Sequence, residues 1–214
     1  MQNKLILLAL SVFVVYANAT LGLDLSFWQG DVSLNTWKCL RGSGYQFAIV
    51  QVWKQSGEPN PWAVSDIKRA YAAGFLHVDA YIFPKTSISP EDQVKRSIDL
   101  LRSQGAGNFG MIWIDVESKA AWGNCDQNVA YLNRLINQIK NMGVKPGIYS
   151  SSSQWSAIMC GRGGFSNIPL WYAHYDNNPS FSDFRSFGGW SKPAIKQYKG
   201  DTKQCGINID ANFY

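Results

Sequence analysis

The chain has 214 residues with a formal charge of +5, 46% hydrophobic and 16% charged residues, and four cysteines. Its basic residues are scattered rather than clustered, which argues against a nucleic-acid surface, and no bound nucleic acid is expected. With no C-x-x-C pair and two histidines, a structural zinc site is not expected, and neither metal nor cofactor is called for.

The chain opens with Lys4, an apolar run from Leu5 to Tyr16, and Ala17-Asn18-Ala19, a small-residue cleavage pattern. Residues 1–19 read as a secretory signal peptide, leaving 20–214 as a single domain. The apolar run, about 12 residues, is shorter than the roughly 20 a membrane span requires. Loss of Lys4 lowers the charge from +5 to +4. The expected product is exported or held in the lumen of a lysosome- or phagosome-like compartment, free of the membrane, and monomeric.

Strand and helix patterns then alternate. Leu21–Phe27 reads as a strand, Ser33–Arg41 as a helix, and Phe47–Trp53 as a strand apolar enough to be buried on both faces. Pro61–Ala73 is a helix closed by Gly74, and Phe75–Phe83 a third strand. Ser89-Pro90-Glu91-Asp92 is a helix start, with Val94, Ile98 and Leu101 forming its apolar stripe. Gly110–Val116 is a fourth strand and Asp126–Asn141 the clearest helix, with apolar residues at 129, 132, 135, 136 and 139. Lys145–Ser150 is a strand and Ser152–Met159 a short helix. Leu170–Tyr175, Ala194–Tyr198 and Ile207–Phe213 complete eight strands without further helices. Five β/α units followed by three strands predict one irregular, TIM-like α/β barrel, (β/α)5(β)3.

Four cysteines in an exported chain predict two disulfides, for which three pairings are open. In this fold Cys125 and Cys160 follow adjacent strands, which favours that pair and leaves Cys39 with Cys205. Asn18-Ala19-Thr20 straddles the cleavage position and Asn178-Pro179-Ser180 is blocked by proline, so N-glycosylation is not expected.

Chemistry concentrates in three acidic segments at strand ends: Leu23-Asp24-Leu25-Ser26, Ile114-Asp115-Val116-Glu117 and Ile209-Asp210-Ala211-Asn212. Asp115 and Glu117 stand two apart, so on a strand they share a face, their Cα atoms about 6.6–7 Å apart. Paired carboxyls split their pKa values, leaving one as a proton donor, which is what glycoside hydrolysis requires. Glu117, with the longer reach, is the expected donor, and Asp115, one layer deeper, is expected to stay ionised. Tyr81, Tyr149, Trp171 and Gln197 lie on segments that bring rings and an amide to strand ends, suited to stacking on and bonding a sugar. Gly105-Ala106-Gly107-Asn108-Phe109-Gly110 matches a dinucleotide fingerprint, but it follows a helix and precedes a strand, the reverse of the required order. His77 is expected to pack in a strand, and His174 has no assigned role.

These segments resemble glycoside hydrolase family 25, the Chalaropsis-type lysozymes. Gly22-Leu23-Asp24-Leu25-Ser26-Phe27-Trp28-Gln29-Gly30 is similar to the family's opening signature and Ile114-Asp115-Val116-Glu117 to its central D-x-E. Asp79-Ala80-Tyr81, Leu170-Trp171-Tyr172-Ala173, Ile195-Lys196-Gln197-Tyr198 and Ile209-Asp210-Ala211-Asn212-Phe213 follow in the family's order. The resemblance implies retaining hydrolysis of the β-1,4 bond between N-acetylmuramic acid and N-acetylglucosamine in bacterial peptidoglycan. It makes Glu117 the acid/base, Asp115 the residue assisting the substrate's 2-acetamido group, and Asp24 and Asp210 their neighbours in the catalytic set. Direct attack by Asp115 is left open. Two departures, Ile82 for a histidine and Lys196 for a tryptophan, are expected to alter contacts at the rim of the cleft. A chitinase-type hydrolase shares the D-x-E, but Met111-Ile112-Trp113-Ile114 lacks the longer acidic motif. An inactive sugar-binding barrel is the remaining alternative.

Overall fold

A computed structural model describes residues 19–214; the expected signal peptide lies outside the described residues except for Ala19. Eight strands close into one barrel in sequence order, with five helices outside it. The strands are β1 (Leu21–Leu25), β2 (Phe47–Trp53), β3 (His77–Ile82), β4 (Met111–Asp115), β5 (Lys145–Ser150), β6 (Leu170–Ala173), β7 (Ile195–Gln204) and β8 (Ile207–Phe213). Helices α1 (Leu34–Gly42), α2 (Ala63–Ala72), α3 (Pro90–Ser103), α4 (Cys125–Asn141) and α5 (Ser152–Met159) follow β1 to β5 in turn.

Local chemistry sets the helix starts. Ser33, Ser89, Asn124 and Ser151 each place a side-chain oxygen on a backbone N–H of the first turn of α1, α3, α4 and α5. Pro90 opens α3, where its missing N–H costs nothing.

Strands β1 to β7 pair in parallel, whereas β8 runs antiparallel to both β7 and β1. The expectation that β7 ends at Tyr198 falls short by six residues. Lys199–Gln204 continues as a polar ribbon with β8, turned at Cys205 and Gly206, both with positive φ. Such a segment buries no apolar face, so its sequence carries no alternation to read. At the other end, β1 stops at Leu25, and Ser26 caps a 3₁₀ turn over Phe27–Gln29.

Two-residue alternation divides the core in two. Leu23, Val50, Ala80, Ile114, Ile148 and Leu170 face outward against the helices, together with Trp37, Ile67, Ile98, Leu135 and Trp155. Phe47, Ile49, Tyr81, Trp113, Tyr149, Trp171 and Ile195 fill the barrel interior. Large rings fit there because glycine faces them: an added Cβ on Gly147 would stand 2.2 Å from the Trp113 ring, and one on Gly22 2.2 Å from Phe47. Full burial of each such ring contributes roughly 3 kcal/mol. Asp79 fixes Trp113 from below, accepting from its Nε1 at 2.8 Å.

Disulfides join Cys39 to Cys205 and Cys125 to Cys160, with Cα separations of 6.0 and 5.9 Å. The first ties α1 to the β7–β8 turn, the second α4 to the end of α5. Among the described residues, no helix is long and apolar enough to cross a membrane.

Candidate active site

Above the aromatic floor, the inward-facing parity of each strand brings the polar residues together. A cavity of about 100 Å³ is lined by Asp24, Tyr81, Asp115, Glu117, Tyr149, Trp171, Tyr175, Gln197 and Asp210. All eight residues singled out by the sequence for catalysis and sugar binding therefore border one space. Tyr175 is the addition.

Glu117 lies two residues beyond the end of β4, yet its position is tightly specified. The Val116 N–H bonds Tyr149 O at 2.9 Å, carrying the ladder one residue past Asp115 and preserving the alternation. Ser150 Oγ donates to Val116 O at 2.8 Å, and Trp122 Nε1 to Glu117 O at 2.9 Å. The next residue, Ser118, has a φ of 57° and turns the chain away, with its N–H on Gln154 Oε1.

Asp24 is the penultimate residue of β1, and Asp210 lies directly across from it on the antiparallel β8. The sequence reading placed Asp210 near a strand's carboxyl end, as in an all-parallel barrel. With β8 reversed, it enters from mid-strand instead, and its Oδ1 accepts the Asp201 N–H at 2.7 Å.

Gln197 is the hub. Its Nε2 donates to Asp24 Oδ2 at 2.7 Å and to Asp210 Oδ2 at 3.3 Å. Its Oε1 accepts from the hydroxyls of Tyr149 at 2.7 Å and Tyr175 at 2.8 Å. Asn212 plays a parallel part: its Nδ2 donates to Asp24 Oδ2 at 2.7 Å, while its Oδ1 accepts from Trp171 Nε1 at 2.7 Å. Asn212 belonged to a recognised segment without being assigned to the site. Its inward parity with Asp210 was the available signal; Tyr175, in the expected strand Leu170–Tyr175, likewise shares the parity of Trp171, although β6 itself ends at Ala173.

Four carboxyls share this space, and burial raises the pKa of each. For Asp24 burial is reinforced by Asp210 and Glu117 and opposed by the Asn212 and Gln197 amides. For Asp115 burial acts with Glu117 and Asp24. For Glu117 and Asp210 burial is also the leading cause, with Asp210 adding to it at Glu117. Asp24, with two amide donors, is best equipped to carry charge. Asp115 is worst equipped: it is buried and its Oδ1 has no hydrogen-bond partner. Burial and the neighbouring Glu117 and Asp24 carboxyls raise its pKa, which works against the expectation that Asp115 stays ionised in the free site.

Both departures from the family pattern also lie elsewhere than expected. Ile82 is fully buried in the helix-side core. Lys196, adjacent to inward-facing Gln197, must point outward, and it is fully buried there. Its Nζ bonds Asp176 Oδ2 and Asp183 Oδ1, both at 2.7 Å, and Ser180 O at 3.0 Å. Lys196 thus clamps the segment after β6 to the barrel wall. His174, Asp176 and Asp183 bring potential metal-ligand atoms together, but the Lys196 ammonium already supplies the cation for both carboxylates.

Comparison with known proteins places this arrangement in a family. The family model described as "Lysozyme-like protein 1" matches residues 16–198. "Probable GH family 25 lysozyme 2" of Dictyostelium discoideum is 38% identical over 214 residues, covering 99% of both chains. "Probable GH family 25 lysozyme 4" of the same organism is 39% identical over 214 residues, again covering 99% of each. The fold is similar to that of a family GH25 lysozyme from Aspergillus fumigatus, with a TM-score of 0.75, 19% identity, and coverage of 92% of this chain and 94% of that one. The chain is a glycoside hydrolase and belongs to the family 25 lysozymes.

Proposed function

We propose that this chain is an exported N-acetylmuramidase that hydrolyses the β-1,4 bond between N-acetylmuramic acid and N-acetylglucosamine of bacterial peptidoglycan, with net retention. The observation that carries this reading is the pairing, in one cavity, of Glu117, whose pKa burial and Asp210 raise, with a buried Asp115 oxygen that has no partner among the described residues. Export is supported by the leader-like residues 1–19 and by two disulfides, which persist in oxidising compartments.

Glu117 donates its proton to the glycosidic oxygen, releasing the N-acetylglucosamine hydroxyl as leaving group. The muramic acid's own acetamido oxygen attacks C1 on the opposite face. Asp115 Oδ1 accepts the acetamido N–H, gaining the partner it lacks, and the positive charge developing on the resulting oxazolinium favours its carboxylate form. Water then gives a proton to the Glu117 carboxylate and attacks C1, breaking its bond to the acetamido oxygen and restoring the acid, the acetamido group and the original configuration. Asp24, held by Gln197 and Asn212, supplies negative charge beside the cationic intermediate.

Glu117→Gln tests the assignment. Lysis of a Gram-positive cell suspension should fall by roughly a thousandfold or more, the scale of lost general-acid catalysis. Thermal stability should hold or rise, because a buried, repelled acid is removed. Undiminished lysis would reject Glu117 as the donor. A glycosyl adduct trapped on Asp115 would replace acetamido assistance with direct attack.

A further inference from the structure

The cleft has two arms that meet at Glu117. One, of about 410 Å³, contains Trp28, Lys54 and Tyr81 and is bordered by Asp115 as well as Glu117. The other, of about 750 Å³, contains Ser151–Gln154, Tyr175, His174 and Arg185 and is bordered by Glu117 but not by Asp115. Given the muramidase reading above, on which this inference rests, the sugar whose acetamido group meets Asp115 occupies the first arm. The leaving group, which needs only the Glu117 proton, extends into the second.

The second arm is built for an anion. Arg185 lines it, and its Nη1 donates only to the Ser182 and Phe184 carbonyls, at 3.3 and 3.2 Å. None of the ion pairs among the described residues includes Arg185. Asp183 also lines this arm, but its carboxylate and that of neighbouring Asp176 are both bonded to buried Lys196. Asp183, held down at about 2 despite its desolvation by the Lys196 and His174 bonds, also fixes the His174 ring through Nδ1 at 2.6 Å. The other ring nitrogen makes no hydrogen bond among the described residues. The first turn of α5, with its positive dipole end, borders the same space.

We propose that the Arg185–His174 wall binds a carboxylate of the leaving-group half of the glycan, Arg185 supplying the charge and the donors. An N-acetylglucosamine leaving group has no carboxylate. The next sugar outward is muramic acid, whose lactyl group is a carboxylate when bare and carries the acidic stem peptide when substituted. The shared chemistry is a carboxylate one sugar beyond the scissile bond.

The test uses the full mature enzyme, Arg185→Gln, and Lys140→Gln as a charge-matched control on the far end of α4. KM and kcat are measured on three soluble glycan strands: peptide-bearing, amidase-stripped with free lactyl carboxylates, and stripped with those carboxylates converted to methylamides. Arg185→Gln should raise KM on a carboxylate-bearing strand roughly tenfold relative to the methylamide strand, the weight of one charge-assisted bond. The control should leave that ratio at the wild-type value. The strand that shows the loss, stripped or peptide-bearing, identifies the carboxylate. An unchanged ratio for Arg185→Gln on both charged strands overturns the proposal. Calorimetric binding of N-acetylglucosaminyl-muramic acid fragments, charged and methylamidated, is measured alongside. If wild type cleaves no strand yet prefers the charged fragment in an Arg185-dependent way, the muramidase reading fails and the anion site stands. If it shows no such preference, the site fails on its own terms.

Discussion

Gln197→Leu removes four hydrogen bonds from the centre of the site at nearly constant volume. Asp24 and Asp210 each lose an amide donor, and the Tyr149 and Tyr175 hydroxyls lose their shared acceptor. The 3.3 Å bond to Asp210 is the weaker of the two, and Asp24 keeps its 2.7 Å bond from Asn212. Tyr175 is 56% exposed and can turn to water, so the orphaned groups that matter are the Asp24 carboxyl and the buried Tyr149 hydroxyl. At about 1.5–3 kcal/mol for a bond to a charged group and 1–3 for a stranded hydroxyl, less about 1 for the added apolar burial, the net loss is about 3 kcal/mol. For a domain of this size that lowers Tm by roughly 6–12 °C. Losing a donor that holds the Asp24 pKa down moves the acid limb of the kcat/KM profile to higher pH. Gln197→Glu gives the complementary test. It keeps acceptors for both phenols but sets a fifth carboxyl against Asp24, so its stability should fall steeply as pH rises, while at low pH a protonated Glu can still donate. Thermal melts and turbidity assays across pH 4–8 measure both effects. A Tm loss below about 1 °C with an unmoved acid limb would refute Gln197 as the hub, as would a pH-independent Gln197→Glu.

Asp66, buried in α2 with bonds from Val32 N and Trp37 Nε1, has its pKa raised to about 7 by burial, from 3.8. The protonated fold is therefore favoured below the lower value, and that advantage is lost as pH rises through the upper one. The change is at most about 4 kcal/mol, and Asp66→Asn should be more stable than wild type at pH 7.5 but not at pH 4. Equal stability differences in urea melts at both pH values would contradict this. Gly147→Ala drives a methyl group into the Trp113 ring and should cost about 1–3 kcal/mol, or more if the ring cannot shift. The melt is accompanied by a change in tryptophan fluorescence; an unperturbed Tm would mean that the ring yields.

The site was legible because a strand's period of two converts a sequence interval into a shared face. Asp115 and Glu117 follow from that interval alone, whereas Asp24, Tyr149, Trp171 and Gln197 were singled out with the help of the family resemblance. The same rule, applied to Lys196 and Ile82, would have turned both outward from the start; a family motif drew attention to the position and away from its direction. Two features had no comparable signal, and a third, Tyr175, shared the parity of Trp171 in the expected strand Leu170–Tyr175 although β6 itself ends at Ala173. The direction of β8 depends on the turn at Cys205-Gly206, not on apolar pattern. The polar ribbon of β7 buries nothing that a hydropathy reading detects. Tyr175 reaches the site from the segment after β6, whose course Lys196 fixes through Asp176 and Asp183. The upward shift of the Asp115 pKa depends on what surrounds it in three dimensions, and an interval of two says nothing of that.

Because β8 closes the barrel against β1, the amides that restrain Asp24 come from residues 197 and 212, more than 170 positions later in the chain. During synthesis, the nucleation of the first strands leaves this carboxyl without its guardians, and Asp210 is still missing from the cleft. The cleft is thus complete only once the last strand docks, and a chain that stops short of β8 lacks both Asp210 and the Asn212 amide.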